Sequence, residues 1–181
     1  DARAPELASL AAALAAGHDV ELPSSLALWR MAGGRPGGVT PRHDDEPWHV
    51  LGRALEEGLS AEVRRLGAHY TPPGVAASVA RLAFSAEADA GPVVDPACGG
   101  GALLLESAAL LVDLGAPPPE VASEMLWGAD VDPLAVAVTE AAIALWSGGS
   151  IPRPGQLVVA DALSREREHL WPAAPPAGFA A

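Results

Sequence analysis

Three aspartates close short apolar runs in this chain: Asp95 after Val93-Val94, Asp130 after Met125-Leu126-Trp127-Gly128-Ala129, and Asp161 after Gln156-Leu157-Val158-Val159-Ala160. The first is followed by Pro96-Ala97-Cys98 and then by Gly99-Gly100-Gly101. A glycine turn at the end of a strand lets a ligand come close to the backbone, because residues without a Cβ tolerate positive φ. A carboxylate at that corner repels a pyrophosphate at short range. The loop therefore suits a cationic ligand.

Each aspartate is an acceptor set in place by a strand end. Asp95 could take an ammonium group and offset a nearby positive sulfur, Asp130 both hydroxyls of a ribose, and Asp161 an exocyclic adenine amine. S-adenosylmethionine carries all three groups, whereas NAD carries only the last two. The glycine pattern also disfavours NAD. Leu104 stands where the dinucleotide fingerprint wants glycine or alanine, and Asp130 lies 35 residues beyond Asp95, where the fingerprint has its acidic residue after about 20.

Helical segments must connect these corners. The run from Ala102 to Leu114 is closed by Gly115 and Pro117-Pro118-Pro119, and Leu134 to Trp146 stops before Gly148-Gly149. Strands alternating with helices predict a parallel sheet with right-handed crossovers, whose ligands bind beyond the carboxyl ends of the strands. Upstream, residues 5 to 16 and 22 to 31 carry helical patterns, with Pro23 and the Ser24-Ser25 pair supplying start signals for the second, and residues 33 to 47 read as a loop rich in glycine and proline. Apolar residues at Val50, Leu51, Leu55, Leu59, Val63 and Leu66 predict an amphipathic helix from Trp48 to Leu66. Pro72 and Pro73 suit the start of another, over Val75 to Phe84, with Tyr70 and Thr71 presented just before it.

The 181 residues are half hydrophobic, which excludes general disorder, and their formal net charge of −12 argues against this surface gripping nucleic acid. Any DNA or RNA would be held elsewhere. The single cysteine, Cys98, excludes an internal disulfide and fits a reducing, cytoplasmic setting. No apolar run is long enough for a membrane span. The chain starts at Asp1 and ends after a proline-rich stretch, so a piece of a longer protein is expected.

Four segments in order, Gly67-Ala68-His69-Tyr70-Thr71-Pro72-Pro73, Val94-Asp95-Pro96-Ala97-Cys98-Gly99-Gly100-Gly101, Gly128-Ala129-Asp130-Val131-Asp132-Pro133 and Ala160-Asp161-Ala162-Leu163, resemble the ordered motifs of N6-adenine DNA methyltransferases. The resemblance is to the group found in type I and fused restriction-modification or phage-defence systems, and it covers roughly residues 48 to 181. It implies a Rossmann-like, S-adenosylmethionine-dependent methyltransferase fold, of which this chain holds the first three parallel strands, preceded by an α-helical region over residues 1 to 47. It further implies that Tyr70 and Thr71 fold over the methionine part of the cofactor. Asp95, Ala97, Cys98, Gly99 and Gly101 would line that end, Asp130 would hold the ribose, and Asp161 the adenine amine. The partners implied are DNA, reached through regions outside these residues, and a specificity subunit or fused target-recognition domain.

The family's catalytic motif, Asn or Asp followed by Pro-Pro and an aromatic, does not occur here; Pro175-Pro176 is flanked by alanines. Such enzymes flip the base out, accept hydrogen bonds from its amine and stack an aromatic on it. No catalytic residue is assigned, and the motif is expected beyond Ala181. Related readings are methyl transfer to RNA or to a protein glutamine, and a non-catalytic scaffold domain that binds the cofactor. Cys98 lacks a neighbouring base and reads as a small packing residue, Asp132 as the cap of the helix from Pro133, and His18, His43, His49 and His169 show no metal-ligand spacing.

Overall fold

The computed structural model describes residues 1–40, 42, 44, 46–58, 71–84, 91–164, 170, 171 and 179. In chain order the helices are α1 (Ala4–Gly17), α2 (Ala27–Met31), α3 (Pro47–Glu57), α4 (Pro73–Ala83), α5 (Ala102–Asp113), the short α6 (Pro118–Glu120), which runs into a π-helical turn at Val121–Met125, and α7 (Pro133–Trp146). The strands are β1 (Val93–Asp95), β2 (Leu126–Asp130) and β3 (Leu157–Val159), all parallel, in spatial order β1-β2-β3. The chain is thus mixed α/β. Parallel neighbours need crossovers, and α5 and α7 supply them.

Both crossover helices follow from their sequences. In α5 the buried Leu104, Leu105, Ala108 and Leu111 recur on one face. Gly115, at φ +103°, ends it, and the Ala116 N–H reaches back to the Leu111 carbonyl at 3.1 Å. In α7 Pro133 sits in the first turn and Asp132 accepts from the Leu134 N–H at 2.8 Å. Ten of its fourteen residues are buried, so it is enclosed on nearly all sides. β2 and β3 cover it on one side, and α1, α2 and α3 pack against the rest.

One apolar core therefore runs from Leu7, Leu14, Leu22, Leu28 and Trp29 through Val50 and Leu51 to Leu104, Leu126, Leu134 and Ile143. α4 lies against α5 through Ala76 and Ala80. Trp127 on β2 meets the Phe179 ring edge-on at 5.7 Å, Trp171 does the same at 6.0 Å, and the Trp171 indole N–H donates to the Gln156 carbonyl at 3.1 Å. Among the described residues no helix is long and apolar enough to cross a membrane.

Two expectations change. The pattern at residues 22 to 31 yields a helix only over Ala27–Met31, because the Pro23 carbonyl takes the Trp29 indole N–H at 3.0 Å and Leu26 is non-helical at φ −50°, ψ 134°. Its first N–H, on Ala27, is met by the Glu140 carboxylate of α7 at 2.6 Å. The Ser24-Ser25 pair does not cap it. The helix expected from Trp48 to Leu66 is found over Pro47–Glu57 as α3, which ends with Gly58 in a turn; residues 59–66 lie outside the described ones.

Candidate functional site

The three aspartates stand at the carboxyl ends of adjacent strands. Asp95 pairs with Gly128 and Asp130 with Val159. Side chains alternate along a strand, so Asp95 and Asp130, two residues past Gly128, face the same way. Asp161 comes two residues after Val159. The rim advances by one dipeptide, about 7 Å, from each strand to the next.

Asp95 is only 9% exposed, and its Oδ1 accepts the Ala97 N–H at 3.0 Å. Burial holds its carboxyl above the ordinary carboxylate range; the Ala97 bond opposes the rise and the Asp130 charge adds to it. Asp130 ties two turns together. Its Oδ2 accepts the Gly99 N–H at 2.9 Å and its Oδ1 the Asp132 N–H at 2.8 Å, which leaves lone pairs on both oxygens for a ligand. Asp161 is exposed, with Oδ1 taking the Leu163 N–H at 2.9 Å.

The glycine loop is fixed from several directions. The Cys98 N–H donates to the Ala129 carbonyl at 2.9 Å, the Gly101 N–H to the Cys98 carbonyl at 2.8 Å, and the Thr139 hydroxyl to the Gly99 carbonyl at 2.8 Å. Gly101 has φ +86°, and a Cβ there would stand 3.2 Å from the Thr139 side chain. A Cβ on Gly100 would come within 2.5 Å of the Gly52 Cα. Gly99 differs. At φ +52° it faces open space, with nothing within 4 Å of a would-be Cβ.

Cys98 is buried, and burial first, then the Asp95 and Asp130 charges, pushes its thiol far up. It is a protonated packing group, since nucleophilic cysteines need the thiolate. Asp132 caps α7 and also pairs with Arg3 at 3.3 Å. Beside the acids, Val131, Val159 and Leu163 are exposed at 69%, 55% and 90%. These uncovered apolar side chains suit a planar ring.

Hydrogen bonds thus join Asp95 to Ala97, and Cys98, Gly99 and Gly101 to one another, to β2 and to α7; Asp161 adds the outer corner. Thr71 is half-buried in the segment leading into α4, apart from this network, and Tyr70 lies outside the described residues. Sequence reasoning overlooked Thr139, wholly buried in α7. A lone hydroxyl inside an otherwise apolar helical run was the available signal. It also overlooked Gln156, buried at 2%, whose side chain donates to the Leu126 carbonyl at 3.0 Å and accepts the Arg153 N–H at 2.6 Å, tying β3 to β2.

A depression of about 310 Å³ between α1 and residues 32–36 is built from Pro5, Ser9, Gly33, Gly34 and Arg35 among others. It has no part of the strand ends. Among the described residues no group of three or more His, Cys, Asp or Glu is placed to hold a metal ion.

No curated protein and no solved structure matches the chain. A family model described as N-6 DNA methylase matches residues 49–166, which takes in most of α3, the glycine loop and all three aspartates. With well over half of its length matched and that loop closed by Asp130, the chain belongs to the N-6 DNA methylase family.

Proposed function

We propose that residues 48 to 181 are the S-adenosylmethionine-binding part of a Rossmann-like methyltransferase domain. The parent activity is site-specific methylation of adenine N6 in DNA, within a restriction-modification or phage-defence system. The observation that carries this reading is the open Gly99, bonded to Asp130, with Asp95 on the same face of the sheet and Asp161 beyond. Two neighbouring carboxylates, one of them buried, favour a cation. The family match implies DNA as the substrate and S-adenosylmethionine as the methyl source.

The residues present fit that cofactor. When bound it supplies an electrophilic methyl group on a positive sulfur. Asp95 and the backbone of Ala97, Cys98, Gly99 and Gly101 would meet its methionine end, together with Tyr70 and Thr71. Asp130, already oriented by two backbone N–H groups, would take the ribose hydroxyls. Asp161 would accept the adenine amine while Val131 and Leu163 cover the ring. The helical region of residues 1 to 47 would contribute α1 and α2, which pack against α7, and DNA would be held by basic surfaces elsewhere, with a specificity subunit or target-recognition domain reading the site.

Titration calorimetry with S-adenosylmethionine and with NAD tests the reading. Saturable binding of the first without the second is expected. NAD binding of equal strength, or no binding of S-adenosylmethionine, would overturn it. The chain lacks the Pro-Pro-aromatic motif, so no methyl transfer to DNA is expected from these residues alone; measured transfer would contradict that assignment.

A further inference from the structure

We infer that α3 clamps the glycine loop, and that His49 and Glu106 are positioning residues that hold the clamp shut. On α3, His49 and Gly52 are three residues apart and share a helix face. Gly52 presses on the loop so closely that Gly100 has no room for a side chain: a Cβ there would stand 2.5 Å from the Gly52 Cα. His49 Nε2 lies 3.1 Å from Glu106 Oε1 on α5, the helix that the loop opens into. One helix face therefore touches the loop and, through a polar pair, the helix after it.

Neither feature follows from stability alone. Glycine inside a helix costs about 1 kcal/mol against alanine, and Gly52 is buried within α3, where alanine would serve unless a backbone had to come close. The polar pair is also largely buried, with side chains 8% and 18% exposed, and a well-packed apolar pair in such a place is commonly as stable or more so. A hydrogen-bonded pair adds direction. It fixes how α3 is turned about its axis, and hence where Gly52 meets Gly100.

α7 also holds the loop, through the Thr139 hydroxyl and the Gly99 carbonyl. The loop is then gripped at two successive residues, Gly99 by α7 and Gly100 by α3, while the open side of Gly99 stays clear. Bringing a cofactor to a prepared loop avoids the entropy of ordering it during binding. This role rests on the cofactor reading only for its consequence in binding; the clamp itself is a property of the free chain.

Amide hydrogen exchange on the chain without cofactor tests it. In His49→Leu the Gly99 and Gly101 N–H groups, both bonded in the closed loop, should exchange about tenfold faster, the effect of losing one hydrogen bond of ordinary strength. The interior amides of α5 and α7 should keep their rates. His49→Gln, whose side-chain amide can still donate to Glu106, should restore loop protection. Unchanged loop rates, or a uniform rise across all helices, would overturn the proposal. Should His49→Leu fail to fold, Glu106→Ala, at a partly exposed position, makes the same test.

Calorimetry on the same variants separates the two readings. Weaker S-adenosylmethionine binding in His49→Leu, restored in His49→Gln, is the expected result. A loosened loop in a chain that binds no S-adenosylmethionine at all would leave the clamp standing and remove the cofactor assignment. Tight binding with an unprotected loop would remove the positioning role.

Discussion

At the scale of single residues, Asp95 sets stability against function. Its folded-state carboxyl titrates above the ordinary range because it is buried, so it favours folding fully only below that range and costs stability as pH rises through its folded value. Asp95→Asn keeps an oxygen for the Ala97 N–H. Thermal melts of this variant should rise by a few degrees at pH 7, and the gain should fade below about pH 4, where the carboxyl is protonated in both states. Its affinity for S-adenosylmethionine should fall at the same time. The glycines divide similarly. Gly101→Ala forces a side chain to φ +86° against Thr139 and should cost about 2 kcal/mol or more in chemical denaturation. Gly99→Ala, with open space around it, should cost about 1 kcal/mol but lose the cofactor.

At the scale of elements, what was legible in the sequence was local. β1, β2 and β3, the glycine turn, Asp132 as a cap and the ends of α5 and α7 are each written in a few neighbouring residues. What was not legible depends on partners far along the chain. The start of α2 is the clearest case: the acceptor for the Ala27 N–H is Glu140, 113 residues away, and no cap near Ser24 could announce it. The hold of Thr139 on Gly99 spans 40 residues, and the need for glycine at position 100 comes from Gly52, far from it in sequence. The motifs brought Tyr70 and Thr71 to the site by resemblance, and the described residues do not join Thr71 to the rim. Glu140→Ala should leave the α2 N-terminus unmet and cost about 1–2 kcal/mol, read by denaturant unfolding. Cofactor affinity should not change, because α2 lies behind α7 and away from the strand ends.

At the scale of the whole molecule, the helical layer and the sheet share one core. α7 is apolar on nearly every side because it has the sheet before it and α1, α2 and α3 behind it. A chain beginning at residue 47 would strip Leu7, Leu14, Leu22, Leu28 and Trp29 from that core. It should lose cooperative melting or aggregate, and a sharp thermal transition in that truncation would show the layer to be dispensable. Among the described residues the same arrangement leaves the carboxyl ends of the strands uncovered, and the central proposal made there is that Asp130, bonded to the Gly99 N–H, links the glycine loop to a cofactor. Calorimetric titration of S-adenosylmethionine into the chain and into Asp130→Ala, with circular dichroism confirming that both are folded, tests it most directly. Binding weakened at least about tenfold in the variant, as expected for losing a carboxylate paired with two hydroxyls, is the predicted result; equal affinity in the two proteins would contradict the account.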